Sequence, residues 1–190
     1  MKFNCIRWIF ALSTTGIFLL LLSGCKKDKK PSIKIGDSYQ GGIVAYILVP
    51  GDPGYVNGQT HGIIAAATDQ ALGIQWRNTS STTTGATATA LGSGNDNTAT
   101  IVNNQGAGNY AAKICFDLVL GGYSDWFLPS KDELNQLFLN KAAIGGFTSD
   151  YYWSSSEGNS VFAWSQKFDT GAQLADQKLS NRRVRAIRAF

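Results

Sequence analysis

The chain has 190 residues, 44% of them hydrophobic and 12% aromatic, with 17 Lys and Arg against 13 Asp and Glu. This composition supports a packed core and excludes a disordered chain, while four prolines and three cysteines exclude collagen-like and disulfide-scaffold proteins. The formal charge of +4 invites a guess of nucleic acid as partner. Its distribution removes the invitation, because six of the basic residues and one of the acidic residues precede Pro31, leaving 11 basic against 12 acidic from there on. The body of the chain is near neutral, and no nucleic-acid partner is expected.

Residues 1–24 read as an export signal: a basic start (Lys2, Arg7) precedes an apolar stretch from Trp8 to Leu22, short for a membrane span. It closes on Leu22-Ser23-Gly24-Cys25, which resembles the lipobox of bacterial lipoproteins. The resemblance implies cleavage before Cys25 and acylation of that cysteine, with more than one acyl chain needed for a firm anchor. The expected location is the cell envelope, lipid-anchored at the outer membrane and facing the periplasm or the outside. Residues 25–31 then form a charged tether, Lys26-Lys27-Asp28-Lys29-Lys30 being too polar to pack. With Cys5 in the leader and Cys25 lipidated, Cys115 is alone, so no internal disulfide is expected. Residues 32–190 form one domain, long enough to hold itself by its own core.

Gly41 to Val49 is a continuous apolar run after a glycine pair and predicts a buried strand, closed by the turn chemistry of Pro50-Gly51-Asp52-Pro53-Gly54. His61 to Ala67 predicts a second strand. Residues 78–100 are almost all Thr, Ser, Ala, Gly and Asn, the composition of a long surface loop. From Asn109 to Leu120 the period changes, with Ala111, Ile114, Cys115, Leu118 and Val119 on one helical face and Gly121-Gly122 as the stop. Cys115 on that stripe reads as an inert buried thiol. A second helix starts at Ser130, whose spacing to Glu133 is that of a capping box, with Lys141 placed to suit its C-terminal dipole. Tyr151 to Ser156, Val161 to Phe168, residues 172–178 and Arg182 to Phe190 predict four more strands. In the second of these, Phe162, Trp164 and Phe168 fall on one face. Two helices amid a mainly antiparallel sheet make the fold class α+β.

Catalytic constellations are absent from this pattern. His61 is the single histidine, at a strand entrance, and suits a structural role better than a metal or triad role. Glu133 and Glu157 are the only glutamates, and the capping box accounts for the first. Gly92-Ser93-Gly94-Asn95-Asp96-Asn97 is expected to lack both the lysine and the following helix of a phosphate loop and reads as a turn cluster. No catalytic residue, metal or cofactor is assigned, and the chain is not expected to be an enzyme.

Five segments carry a family resemblance: Gly122-Tyr123-Ser124-Asp125-Trp126-Phe127-Leu128-Pro129-Ser130-Lys131-Asp132-Glu133-Leu134; Tyr152-Trp153-Ser154-Ser155-Ser156-Glu157; Ala163-Trp164; Phe168 with Gly171; and Val184-Arg185-Ala186-Ile187-Arg188. Together they resemble the DUF1566 or Lcl C-terminal domains, a family named after a Legionella collagen-like adhesin. The resemblance implies a C-type-lectin-like fold near the formylglycine-generating enzymes, over residues 36–190, with a ligand surface on the C-terminal strands and loops. Sulfated glycosaminoglycans are one implied ligand class. The paired cysteines of the formylglycine-generating enzymes are missing, as are the calcium-binding triplets of calcium-dependent lectins. The partner expected is a glycan or an envelope or host protein, the alternative being a structural component that holds a neighbouring envelope protein. Trp126, Trp153, Trp164 and Phe168 are assigned to the core. Candidate ligand contacts are the polar positions between them, Glu157, Asn159, Gln166, Lys167, Asp169, Gln173, Asp176 and Gln177, with Tyr151 as an edge aromatic. Arg185 and Arg188 are expected to pair with carboxylates, whereas Arg182 and Arg183 are further candidate contacts.

Overall fold

A computed structural model describes residues 32–78 and 82–190. The export signal, Cys25 and the tether lie outside the described residues. Among the described residues are nine strands and four helices: β1 (Ser38–Tyr39), β2 (Gly42–Ile47), β3 (Gly62–Ala65), β4 (Ala71–Ile74), α1 (Gly94–Gln105), α2 (Ala111–Phe116), α3 (Lys131–Leu139), α4 (Lys141–Ile144), β5 (Tyr151–Glu157), β6 (Phe162–Lys167), β7 (Gln173–Gln177), β8 (Arg182–Val184) and β9 (Ile187–Ala189). They form two sheets, ordered β1-β2-β3-β9 and β4-β8-β5-β6-β7. All pairings are antiparallel except β5 with β8, which meet in parallel at Tyr152 and Arg183. The α+β class expected from the sequence is the one observed, with four helices instead of two.

The extra helices have specific causes. α1 rises from the segment read as a loop, because its inner face is polar: Gly94, Asn97, Thr98 and Ile101 are buried at helical spacing. Asn97 donates to the Ala88 carbonyl at 2.7 Å, and the Thr98 hydroxyl accepts from Leu128 N–H at 3.0 Å. Hydrogen bonds there do what apolar contacts do elsewhere, so hydrophobic periodicity does not reveal the helix. The turn cluster at Gly92 is therefore a helix start. Its N–H groups are occupied from within, since Gly92 N–H donates to the Glu133 carboxylate at 2.9 Å.

α2 is shorter than the sequence predicts. It stops at Phe116, leaving Val119 71% exposed, because Leu120 and Tyr123 bridge across Gly121-Gly122 and draw the chain out of helical register. α3 carries the expected capping box, with the Ser130 hydroxyl accepting from Glu133 N–H while the Glu133 carboxylate accepts from Ser130 N–H at 2.7 Å. Lys141 does not close α3. It opens α4, donates to the Phe168 carbonyl and lies over the Phe138 ring.

At the C-terminus the single strand expected over 182–190 is two strands in two different sheets. The break falls at Arg185 and Ala186. The Arg185 guanidinium, fully buried, donates to Asp69 Oδ1 at 2.8 Å and to the carbonyls of Ala66 and Gly146 at 3.0 and 2.6 Å. That fan of acceptors bends the chain, and Ile187 to Ala189 then pairs with β3, placing Arg188 opposite Ile64.

Two core clusters result. One gathers Trp76, Trp126, Trp153 and Ile101 with Cys115, whose thiol burial pushes well above the ordinary range, so it is inert. The other gathers Phe127, Leu134, Leu137, Tyr152, Phe168 and Ile187 between α3, α4 and the first sheet.

Candidate functional site

The predicted contacts come from four strands of the second sheet, β5 to β8, and the loops around them, and cross-strand register sorts them. Tyr151 stands opposite Lys167, Ser165 opposite Leu174, and Ala163 opposite Asp176. These residues share one face of the sheet, closed by the core at Ala163 and Ser165 and open to solvent at Leu174 and, in part, at Tyr151 and Lys167. Gln166 stands opposite Gln173, Trp164 opposite Ala175, and Phe162 opposite Gln177, so these share the other. The sequence assigned one surface; the structure divides it into two.

On the first face, Arg182 lies with its guanidinium 4.9 Å from the centre of the Tyr151 ring and donates to Asp176 Oδ2 at 2.5 Å. Lys167 approaches the same ring at 5.6 Å and pairs with Asp169 at 3.2 Å. Asp169 is held below the ordinary carboxylate range: burial opposes its ionisation, but the Lys167 ammonium and the Thr170 N–H outweigh it. Leu72, 73% exposed, joins Tyr151, Asn181, Arg182, Arg183 and Asp150 around a shallow cleft of about 100 Å³. Arg183 is anchored away from a ligand by two carboxylates, Asp150 at 2.8 Å and Asp69 at 3.1 Å.

Two candidates are not exposed at all. Glu157 is buried and accepts from Thr84 N–H at 2.8 Å, Gly85 N–H at 2.9 Å and the Lys178 ammonium at 2.5 Å. Lys178 is itself buried, with the Trp76 ring 4.5 Å away. Gln166 is also buried, donating to Asn135 Oδ1 at 2.8 Å and to the Gly171 carbonyl at 3.1 Å. Both are corrections to the sequence reading. A polar residue in a strand signals solvent only if no partner reaches it, and here the partners come from elsewhere in the chain. Asn159 is exposed but turned inward locally, accepting from Val161 and Phe162 N–H at 2.8 and 3.0 Å. Gln173 donates to the Lys131 carbonyl at 3.1 Å, and Gln177 is exposed.

Among the tryptophans, Trp126 and Trp153 are buried as expected, and so is Phe168. Trp164 is not. On β6 the small residues Ala163 and Ser165 face the core, because bulky Trp153 already fills it, and Phe162 and Trp164 are half-buried on the outer side. The alternation of small with aromatic residues was the available signal, read in the wrong sense.

Two further arginines are closed within the fold. Arg185 pairs with Asp69 and Arg188 with Asp125 at 2.7 Å, as expected for both. The hydrogen bond and charge of Arg188 hold Asp125 below the usual carboxylate range against its partial burial. His61 is half-buried, its ring nitrogens 3.2 Å from the Phe190 carbonyl and 2.9 Å from the Gln59 side chain. It borders an apolar cleft of about 320 Å³ walled by Leu48, Ile63, Leu91, Phe127 and Phe190. Among the described residues no group of three His, Cys, Asp or Glu side chains is placed to hold a metal ion. No helix among them is long and apolar enough to cross a membrane.

Residues 65–188 match the Lcl C-terminal domain family. The chain belongs to that family. The match starts at the end of β3, so β1 and β2 lie outside it. No curated protein matches the chain. Among solved structures, a fimbrial protein from Bacteroides ovatus ATCC 8483 superposes with a TM-score of 0.50 at 15% identity, over 83% of this chain and 45% of that one. At that identity the likeness is one of fold, and this Lcl C-terminal domain protein spans less than half the length of its fimbrial neighbour.

Proposed function

We propose that the protein is a lipid-anchored, non-enzymatic binding module of the cell envelope, adhesin-like, that recognises a glycan or protein through the exposed surface of its C-terminal sheet. The observation that carries this reading is the Tyr151 face. A tyrosine ring lies against two cations, Arg182 and Lys167, beside an open cleft and the exposed Leu72. An amphipathic aromatic with hydrogen-bond donors around it is the chemistry of recognition surfaces. Arg182 and Lys167 are each balanced by a carboxylate, so the face suits ligands bound through hydrogen bonds and ring contact more than through net charge. Family membership and the fold shared with a fimbrial protein support a role at the envelope. A C-type-lectin-like fold belongs to the same proposal.

The test is a binding screen of the full chain over glycan and envelope-protein panels, repeated with the double variant Arg182→Glu, Lys167→Glu. The module reading expects at least one ligand whose binding the double variant abolishes. Binding indifferent to both changes would move the site off this face. For the anchor, cells fed labelled palmitate should label the wild type and leave Cys25→Ala unlabelled. Label retained in the variant would refute lipidation at Cys25.

A further inference from the structure

Five charged side chains among the described residues are buried: Glu133, Glu157, Lys178, Arg185 and Arg188. Four of them face an opposite charge, Glu157 with Lys178, Arg185 with Asp69 and Arg188 with Asp125. Glu133 is the exception. It makes no ion pair among the described residues, and backbone N–H groups hold its carboxylate, Ser130 at 2.7 Å and Gly92 at 2.9 Å. With the Gly94 N–H added, one of its about four acceptor positions stays open. Burial raises its pKa in spite of those donors, as for an anion short of counter-charge. Glu133 forms part of the wall of the apolar cleft of about 320 Å³ beside His61. The Phe190 ring can lie over β3 there because Gly62 has no Cβ, which would stand 2.8 Å from Phe190 Cε1. An edge-on contact with Tyr39 at 5.3 Å fixes that ring. Leu48, Ile63, Leu91 and Phe127 continue the apolar lining. Asn95, in the first turn of α1, borders the cleft exposed, its side chain without a hydrogen bond among the described residues.

An apolar cleft with one uncompensated carboxylate and an open amide selects a cation carried on an apolar body. A metal ion does not fit: Glu133 is the only carboxylate in the lining, and both ring nitrogens of His61 already have partners. A lysine side chain would bring the charge, but its thin stem would leave most of the apolar wall in water. We infer that this cleft binds a small arylalkylamine, its ring against Leu48, Phe127 and Phe190 and its ammonium donating to Glu133 and the Asn95 side-chain oxygen. The cleft is built from the first sheet, the loop after β2 and the starts of α1 and α3, so it is separate from the Tyr151 face and does not rest on the module reading. Leu48, Ile63 and Phe190 also lie outside the residues matched to the family, so the match does not supply this site.

The experiment uses the full chain in nonionic detergent micelles, titrated calorimetrically at pH 7 against an empty-micelle blank. The probes are phenethylamine, phenethyl alcohol, hydrocinnamate, butylamine and a lysine methylamide capped at its α-nitrogen. Wild type should bind phenethylamine at least about tenfold more tightly than the alcohol, a difference of one charge-assisted contact, and should not bind hydrocinnamate. Butylamine and the capped lysine should bind about tenfold more weakly than phenethylamine, for want of the ring. Glu133→Gln keeps an acceptor for the capping box and should bind amine and alcohol alike. Ala189→Trp, at an exposed position of β9 in the cleft lining, should fill the cleft and bind neither. That variant should keep the wild-type thermal transition, so it remains informative if Glu133→Gln fails to fold. No saturable binding of phenethylamine, equal affinity for amine and alcohol in the wild type, or an amine preference kept in Glu133→Gln would each overturn the site. So would wild-type affinity in Ala189→Trp. The capped lysine binding as tightly as phenethylamine would also overturn it, assigning the cleft to a partner's side chain instead.

Discussion

Glu157 and Lys178 form an ion pair with almost no solvent contact, 21 residues apart in sequence and joined to the Thr82–Gly85 segment by Thr84 and Gly85 N–H and the Thr82 carbonyl. Burial by itself would raise the Glu157 pKa; the Lys178 ammonium and the two backbone donors outweigh it and hold the carboxylate below its ordinary 4.5. Burial pulls Lys178 the other way from its partner, lowering it. Removing one member leaves the other charged and stranded, so Glu157→Gln should cost about 3–5 kcal/mol by urea unfolding at pH 7. Replacing both by apolar residues should cost less. A carboxylate with a lowered folded pKa contributes stability that is complete above 4.5 and is lost as the pH falls through the folded value. The wild type should therefore lose stability more steeply than Glu157→Gln as the pH falls below 4.5. Parallel slopes would show that other carboxylates carry the acid sensitivity.

At the scale of elements, one side chain joins two helix starts. Glu133 completes the capping box of α3 and also accepts from Gly92 N–H at the start of α1. Burial raises its pKa despite the backbone donors of Ser130, Gly92 and Gly94, so it is a carboxylate held by geometry more than by solvation. Ser130→Ala should cost about 1–2 kcal/mol, the range of a lost N-cap, read by thermal or chemical unfolding. Gly94→Ala should cost more than Ala substitution on the exposed side of α1, because a Cβ there would stand 2.2 Å from Glu133 Oε2 and 2.8 Å from Ser130 N. Equal stability of the two would mean that the α1–α3 junction is loose. The Gly41–Gly121 contact obeys the same logic in backbone form, since both have positive φ and a Cβ on Gly121 would meet the Gly41 Cα at 2.3 Å.

Across the whole molecule, the last strand ties the domain together. β9 pairs with β3, and Phe127 exchanges hydrogen bonds with Ile187 at 2.8 and 2.9 Å, so the first sheet is completed only by the end of the chain. Deleting residues 187–190 should uncover the edge of β3 and the apolar wall behind Phe127, abolishing a cooperative melting transition by circular dichroism. A truncated chain that still melts cooperatively within a few degrees of the full one would show that the second sheet folds without the first.

Features that depend on neighbours in sequence were legible in it. The capping box at Ser130 needs only a hydroxyl and a glutamate three residues apart, the buried strand at Gly42 an apolar run, and the stripe of Cys115 a helical period. The structural pairing of Arg185 and Arg188 was foreseen without partners. The tertiary structure decided who those partners are, because Asp69 lies 116 residues from Arg185 and Asp125 lies 63 from Arg188. It also decided that Glu157 and Gln166 are internal, that α1 exists, and that Trp164 faces outward while Trp153 faces in. The near neutrality seen in the composition proves to be local pairing of charges. Strand alternation states that neighbouring residues face opposite ways, but which way is inward is set by what packs against the sheet, and that comes from distant parts of the chain.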